Sequence, residues 1–326
     1  MIPVEVRNYK YGSVLSPYIE EYLNLKRACG NKYNIEAGVL RRFDRFCGDC
    51  KLLEPTIAKE IMDTWAAPHE GEAYRTRLAR CSAVRGFVKY LNGIGITAAL
   101  PPSIYSASAS NSFAPYIFTR EQVATIFAVA DAMPLSKNGS SFHIIFPAIL
   151  RVLYGCGLRI SEALALNADD VDMNRGMITV YRSKNANTRQ TPMAPSLKSS
   201  LARYKAKLET QITRTGFFFP NAKGEVYSQR TVYDKFREIL WMSRIPHTGK
   251  GPRVHDLRHT FAVHALNQWV EQGRDCYILL PVLATYLGHK NITCTERYLR
   301  LTAEVFPQVL KQTQQISDAV IPGVRL

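Results

Sequence analysis

Hydrophobic positions recur at helical spacing along most of the chain. In the segment NIEAGVLRRFDRFC, apolar residues repeat every three or four positions, a pattern that predicts an amphipathic helix with one buried face. These residues are Ile35, Val39, Leu40, Phe43 and Phe46. Similar patterns predict about four helices within residues 16–92. We therefore expect a helical N-terminal domain over residues 1–96.

A change of pattern separates this half from the rest. Residues 97–118 contain three prolines and many small residues without periodicity, which predicts an extended linker. Helical order resumes at Thr119, which has the spacing of a capping box with Gln122. The segment MITVYRSKNANTRQTPMA then alternates as a β-hairpin with Lys184 at its tip, and further helices are predicted around 254–272, 279–287, 292–301 and 303–317. The predicted fold is mainly α with a small β-hairpin or sheet, in two domains, the second spanning residues 119–326.

The net charge of the chain indicates which kind of partner it binds. Lysine and arginine number 42 against 27 acidic residues, giving a formal charge of +15 that favours binding to polyanions. We find no run of about 18 apolar residues and no signal-peptide pattern at the start, and we expect no membrane segment. The seven scattered cysteines favour reduced thiols and a cytoplasmic location.

Two predicted helices of the N-terminal domain carry basic residues with few acids to balance them. A solvated charged face usually mixes both signs, so the imbalance favours contact with DNA over a plain solvent-facing surface. The predicted DNA-binding residues are Arg41, Arg42, Arg45, Arg75, Arg77, Arg80, Arg85 and Lys89.

The segment HDLRH, residues 255–259, permits two interpretations. His255 and His259 with an acid between them are similar to a zinc-binding helix, whereas His255 and Arg258 would suit a phosphate. Positions three and four residues apart share a helix face, so spacing alone does not choose between them. Other segments offer more groups suited to phosphate chemistry. They are Arg159 after two glycines, Lys184, His289, and Tyr298 nine residues after His289.

The stretches GLRISEAL, HDLRHTFA and LGHKNITCTERYL, in this order and with a lysine-tipped hairpin after the first, resemble the tyrosine recombinase (phage integrase) family. The resemblance implies a site-specific DNA recombinase that needs no metal, ATP or other cofactor. It implies that Arg159 and Arg258 bind the scissile phosphate and that Tyr298 attacks it to form a 3′-phosphotyrosine. Lys184 would protonate the 5′-oxygen, His255 would act as general acid and base, and His289 would donate a hydrogen bond. Glu162 would support the site from behind, and His259 is interpreted as a packing residue.

The resemblance also implies an assembly. We expect two domains that clamp duplex DNA at a specific site, a homotetramer on paired sites, and a C-terminal tail that packs on a neighbouring protomer through Val305, Phe306, Val309 and Leu310. We expect a cytoplasmic, nucleoid-associated protein without a separate arm-site DNA-binding domain. The sequence leaves open whether accessory DNA-bending proteins take part. The segment between Arg258 and His289 is longer than is common in the family.

Three alternatives remain. A type IB topoisomerase shares this chemistry but does not exchange strands between partners. A zinc metalloprotease built on His255 and His259 would need a glutamate where Asp256 stands, and it leaves Arg159, Tyr298 and the positive charge unexplained. A catalytically silent DNA-binding relative is disfavoured because the set of candidate catalytic residues is complete.

Overall fold

The computed structural model describes residues 8–104, 115–135, 141–181, 188–210, 216–247, 251–289 and 291–305. The chain divides into two compact units, Met1–Ser112 and Phe113–Leu326. No helix among the described residues is long and apolar enough to cross a membrane. Lys184 and the tail residues after Val305 lie outside the described residues.

Where the structure describes it, the N-terminal unit holds four helices around one core. They are α1 (Ser16–Ala28), α2 (Asn34–Asp49), α3 (Lys59–Ala66) and α4 (Tyr74–Gly93). Each helix directs apolar side chains inward, and Tyr22, Phe43 and Phe87 are among the largest fully buried ones. The prediction of about four helices within residues 16–92 agrees with this arrangement.

Among its described residues, the C-terminal unit contains eight more α-helices and one small sheet. The helices are α5 (Arg120–Asp131), α6 (Phe142–Gly155), α7 (Ile160–Leu164), α8 (Pro195–Glu209), α9 (Gln229–Met242), α10 (Asp256–Glu271), α11 (Cys276–Leu287) and α12 (Thr293–Val305). The strands are β1 (Val171–Asp172), β2 (Met177–Val180) and β3 (Arg189–Pro192). They form an antiparallel sheet in the order β1-β2-β3, with Val180 opposite Arg189. The sequence predicted the β2–β3 hairpin, whereas β1 has only two residues and shows no pattern of its own.

The two ends of the predicted linker belong to the units they adjoin. Ala98 is buried and pairs with Ile57 in a short parallel bridge of the N-terminal unit. Phe118 is fully buried in the C-terminal core, where its backbone N–H donates to Thr260 Oγ1 at 3.1 Å. Proline and small residues hide these contacts from a periodicity analysis, because each end buries only one or two side chains.

Local signals set several helix boundaries. The capping box of α5 forms as predicted: the Thr119 side chain accepts from the Gln122 backbone, and the Gln122 side chain accepts from the Thr119 backbone. The long segment after Arg258 becomes the rest of α10, a turn, and all of α11. Helix α11 begins at Cys276, with the Asp275 carboxylate accepting from the Tyr277 and Ile278 backbones. It therefore starts three residues before the predicted boundary and includes Pro281 within its second turn.

Candidate active site

A glycine turn positions Arg159. After α6, Gly157 adopts φ +58°, and a Cβ there would lie 2.7 Å from the Phe261 side chain and 2.8 Å from that of Leu287. Only glycine fits such a backbone between α10 and α11. The turn delivers Arg159 to the position just before α7, where its guanidinium is partly exposed.

One carboxylate, that of Glu162, lies among three guanidinium groups. Its Oε1 is 2.7 Å from Arg159 Nη1, and its Oε2 is 2.8 Å from Arg189 Nη2 and 3.9 Å from Arg258 Nη1. The Arg159 backbone N–H also donates to Oε2 at 3.0 Å. Burial alone would raise the pKa of the Glu162 carboxyl, but the hydrogen bond and charge of Arg189, helped by Arg159, lower it to about 2. Glu162 is therefore ionised and holds the cations in place, which agrees with its predicted supporting position.

Arg258 is held from several directions at once. It is only 1% exposed, and its Nη1 and Nη2 donate to the carbonyl oxygens of Gly157 at 2.6 Å and Leu287 at 2.7 Å. Arg159 Nη2 reaches the next carbonyl of that loop, Gly288, at 3.4 Å. The two predicted phosphate-binding arginines therefore share the same supporting loops.

Tyr298 enters the site from α12 and is 3% exposed. Its hydroxyl lies 2.8 Å from His259 Nδ1, and its ring stacks on that of His289 at a centroid distance of 6.0 Å. His289 is itself fixed through Nδ1, which lies 2.7 Å from Thr295 Oγ1. Burial raises the pKa of Tyr298 above its ordinary value, against the opposing charges of Arg258 and Arg297. The phenol is therefore protonated in the free protein.

Three histidines of the site are neutral at physiological pH: two contact the tyrosine, and the third packs on one of these two. Burial and the charge of Arg258 lower the pKa of His289 to about 4, and burial with the charge of His255 lowers the pKa of His259 to about 3. His255 lies at the exposed start of α10. Neighbouring protein atoms still shield part of its ring from water, and this partial burial, followed by the charges of Arg258 and Arg159, lowers its pKa to about 4.

The structure corrects the sequence-based interpretation of His259. The sequence suggested a packing residue, yet this ring makes a side-chain contact with the hydroxyl of Tyr298. Its spacing from His255 suggested zinc, and nothing in the local pattern pointed to a residue 39 positions later. Only the packing of α10 against α12 brings the two together.

Sequence analysis also missed Arg189. This residue of β3 donates through Nε to the Tyr286 carbonyl at 3.0 Å and through Nη2 to Glu162, and so joins the sheet, α7 and the end of α11. A signal was present: Arg189 and Thr191 occupy the inward positions of an alternating strand, and a charge at such a position requires a partner.

The predicted DNA-binding residues of the N-terminal unit separate into three groups by exposure. Those that are exposed, as a DNA contact requires, are Arg41, Arg42, Arg45, Arg75 and Lys89. Arg77 and Arg85 are half-buried and donate to backbone carbonyls, those of Ala66 and Pro101. The prediction for Arg80 needs correction. It is 4% exposed, forms a two-bond ion pair with Glu72 and donates to the Trp65 and Ala67 carbonyls, so its guanidinium is enclosed within the unit.

Comparison with known proteins decides the family. The model of the phage integrase family matches residues 117–304, more than half of the chain and the whole range from Arg159 to Tyr298. The chain belongs to this family. It is thus a site-specific DNA recombinase, an enzyme that breaks and rejoins DNA strands, as its sequence predicted. The zinc-protease alternative is thereby set aside.

Relatives match over most of their length. "Putative integrase/recombinase y4rE" of Sinorhizobium fredii is 28% identical over 293 residues, which cover 89% of this chain and 92% of that protein. "Tyrosine recombinase XerC" of Rhodospirillum centenum is 26% identical over 268 residues, covering 78% of this chain and 74% of that protein.

Solved structures share the fold. The XerH recombinase bound to difH substrate superposes with a TM-score of 0.62 at 18% identity, covering 96% of this chain and 92% of that one. The Tn1549 transposon integrase bound to transposon right end DNA superposes with a TM-score of 0.61 at 17% identity, covering 89% of this chain and 99% of that one. The predicted fold, mainly helical with a small sheet and two domains, is confirmed. How the two units are arranged around DNA stays a prediction.

Proposed function

We propose that this recombinase cleaves DNA by attack of Tyr298 on a phosphodiester, with release of the 5′-hydroxyl and formation of a 3′-phosphotyrosine. One observation carries the assignment. Four segments far apart in sequence bring two arginines, three histidines and one tyrosine together: the turn before α7, the start of α10, the loop after α11 and helix α12.

The proposed phosphate site uses fixed cations. Arg159 and Arg258 would bind the non-bridging oxygens, where negative charge spreads in the transition state. Both side chains are held by backbone carbonyls and by Glu162, so little reorganisation is needed when the phosphate arrives. Glu162 is a positioning residue in this scheme, because its carboxylate oxygens are occupied by guanidinium groups.

The other groups would manage protons and hydrogen bonds. Lys184, which lies in sequence between β2 and β3, would protonate the departing 5′-oxygen, and His255 would act as general acid and base. His289 would donate a hydrogen bond to the phosphate, since its Nδ1 is already paired with Thr295. The covalent intermediate conserves the energy of the phosphodiester, so a 5′-hydroxyl of another strand can complete the exchange.

The partner is duplex DNA, and the finer arrangement is part of the proposal. Residues 1–96 and 119–326, joined by 97–118, would clamp the duplex, with the exposed cations of the N-terminal unit on its phosphates. Four protomers would act on two sites, with tail residues packing on a neighbour and accessory DNA-bending proteins as optional partners. Because its substrate is duplex DNA, we expect the protein at the nucleoid.

A covalent-capture experiment tests the nucleophile. Duplexes retained by the protein from a randomised pool are isolated, nicked near their centre and incubated with the full chain. Wild-type protein should form an adduct that survives SDS, and Tyr298→Phe should form none. Tyr154→Phe is the matched control, because Tyr154 also pairs with a histidine of α10, its hydroxyl lying 2.9 Å from His264 Nδ1. An adduct on Tyr298→Phe would disprove the assignment.

A further inference from the structure

Three successive carbonyl groups at the end of α11 accept hydrogen bonds from three arginines. The pairs are Tyr286 with Arg189 Nε at 3.0 Å, Leu287 with Arg258 Nη2 at 2.7 Å, and Gly288 with Arg159 Nη2 at 3.4 Å. The last carbonyls of a helix have no partner within it and carry the negative end of its dipole. The end of α11 therefore gathers three guanidinium groups, of which the proposed phosphate site uses two.

Arg189 is the third of these arginines, and its side-chain contacts point into the protein. Its side chain is 7% exposed, and Nη1 and Nη2 donate to the two oxygens of Glu162 at 3.2 Å and 2.8 Å, which makes a two-bond ion pair. The guanidinium also packs against Gly288, where an added Cβ would lie 2.7 Å from Nη1. Arg189 thus connects its own strand, β3, with α7 through Glu162 and with α11 through the Tyr286 carbonyl.

Arg159 shares the Glu162 carboxylate with Arg189. Arg159 Nη1 donates to Oε1 at 2.7 Å, whereas Arg189 donates to both oxygens. A carboxylate can bind one guanidinium through both of its oxygens in a fork-to-fork arrangement. Arg189 has this arrangement with Glu162, so Arg159 keeps a single side-chain bond to the carboxylate, and its side chain stays 21% exposed.

This sharing determines how much positive charge the site offers to an anion. Three guanidinium groups lie around one carboxylate, which leaves two positive charges in excess. Their field reaches the rest of the site, because burial and then the charges of these three arginines lower the pKa of His289 to about 4. Without Arg189, one excess charge would be lost and Glu162 Oε2 would be open to a second bond from Arg159. The carboxylate would then neutralise the guanidinium that the phosphate needs.

We propose that Arg189 is a positioning residue of the phosphate site, an inference that rests on the function proposed above. By binding both oxygens of Glu162, Arg189 keeps this carboxylate from neutralising Arg159 and leaves the Arg159 guanidinium available to the scissile phosphate. Arg189 acts through Glu162 and does not touch the DNA in this scheme. The effect of Glu162 on cleavage should therefore have opposite signs with and without Arg189.

The test measures single-turnover adduct formation on the selected nicked duplexes at saturating protein, expressed per folded molecule. Arg189→Gln should cleave ~10- to 10²-fold more slowly, the usual effect of removing a residue that orients the ligands of a metal site. Glu162→Gln alone should slow cleavage, because it releases the arginines. Added to Arg189→Gln, it should speed cleavage, because the carboxylate that holds Arg159 is gone. A double variant no faster than Arg189→Gln, or an Arg189→Gln variant as fast as wild type, overturns the proposal.

The N-terminal unit contains a matched control for this ion pair. The Arg80 side chain is 5% exposed, forms a two-bond ion pair with Glu72 and donates to the carbonyls of Trp65 and Ala67. Arg80→Gln therefore removes the same kind of buried contact in the unit that does not hold Tyr298. Its adduct rate per folded molecule should match that of wild type. A loss as large as that of Arg189→Gln would assign both defects to stability and contradict the proposal.

A second variant, Arg189→Lys, serves also if Arg189→Gln does not fold. Lysine keeps the charge but lacks the planar fork, so Arg189→Lys should cleave more slowly than wild type, and adding Glu162→Gln should raise its rate. No such gain would overturn the proposal.

A change in the substrate separates charge from packing. In a duplex with a methyl group in place of one non-bridging oxygen, at the scissile position mapped from the adduct, the phosphate has lost the charge that Arg159 would bind. The loss caused by Arg189→Lys should shrink on this duplex, and an unchanged loss would rule the proposal out. Absence of any wild-type adduct on the unmodified duplex, or an adduct on Tyr298→Phe, would count against the proposed function itself.

Discussion

Replacing Glu162 with glutamine removes one charge and almost no volume. In the folded protein this carboxylate is 5% exposed and neutralises guanidinium groups at 2.7 Å, 2.8 Å and 3.9 Å. Glutamine can offer one carbonyl oxygen, but its amide donor would face guanidinium N–H groups. Arg189 and Arg258 would then be left buried with no compensating charge.

The magnitude follows from the pKa of this carboxyl. Its shift from 4.5 to about 2 corresponds to ~3 kcal/mol in favour of the ionised form, at about 1.36 kcal/mol per pKa unit. Removing one partner of a buried ion pair costs about 3–5 kcal/mol in other proteins, which agrees with the loss worked out from the pKa shift. Against a total stability of about 5–15 kcal/mol for a typical domain, this is a severe loss.

Urea unfolding at neutral pH provides the assay, with Glu238→Gln as control. Glu238 pairs with Lys235 at 2.5 Å on the surface, where it is 53% exposed, and the loss there should be about 0–1 kcal/mol. The Glu162→Gln deficit should also shrink as pH falls from 4.5 toward about 2, because wild type then protonates Glu162 and loses the same charge. A deficit below ~1 kcal/mol, or one that stays constant over that range, would refute the reasoning about buried charge.

Three further predictions concern the backbone, the N-terminal unit and acid stability. Gly288→Ala should destabilise the protein by more than ~1 kcal/mol in urea unfolding, because φ is +68° and a Cβ would lie 2.7 Å from Arg189 Nη1. Gly273→Ala is the control: its φ is +69°, but no atom lies within 4 Å of the added Cβ, so the loss of stability should be smaller. Arg80→Gln breaks a buried ion pair, so it should lower the free energy of unfolding by about 3–5 kcal/mol without altering the salt dependence of DNA binding. Arg42→Gln removes an exposed charge, so it should leave the stability unchanged and reduce the slope of log affinity against log salt concentration by about 0.9. The free energy of unfolding should have its full value above pH 6.5 and should decrease as the pH falls toward 4 and below. In the unfolded chain, His259 and His289 take up a proton at about pH 6.5, whereas in the folded chain their pKa values are about 3 and about 4. A flat urea midpoint over that interval would contradict the assigned burial of these rings.

The sequence by itself determined the helices, the hairpin and the family. These features depend on local signals: apolar residues every three or four positions, a Thr119–Gln122 capping box, and short motifs in a fixed order. Arg159, Arg258, His289 and Tyr298 were named as candidates from these motifs, and the structure brings them together around common loops. Their assigned catalytic roles stay predictions until the adduct is tested.

Only the tertiary structure decided what each helix face meets. His255, Arg258 and His259 all fit one turn of α10, and their spacing is equally consistent with zinc, phosphate or packing. Helix α12, which starts 34 residues after His259, supplies the tyrosine that distinguishes among them. Arg80 shows the same dependence: its sequence neighbours suggested a DNA-facing side chain, but Glu72 and two carbonyls at the end of α3 enclose it. Periodicity reports which positions are apolar, whereas the partner of a buried charge is fixed by segments distant in sequence that pack against it.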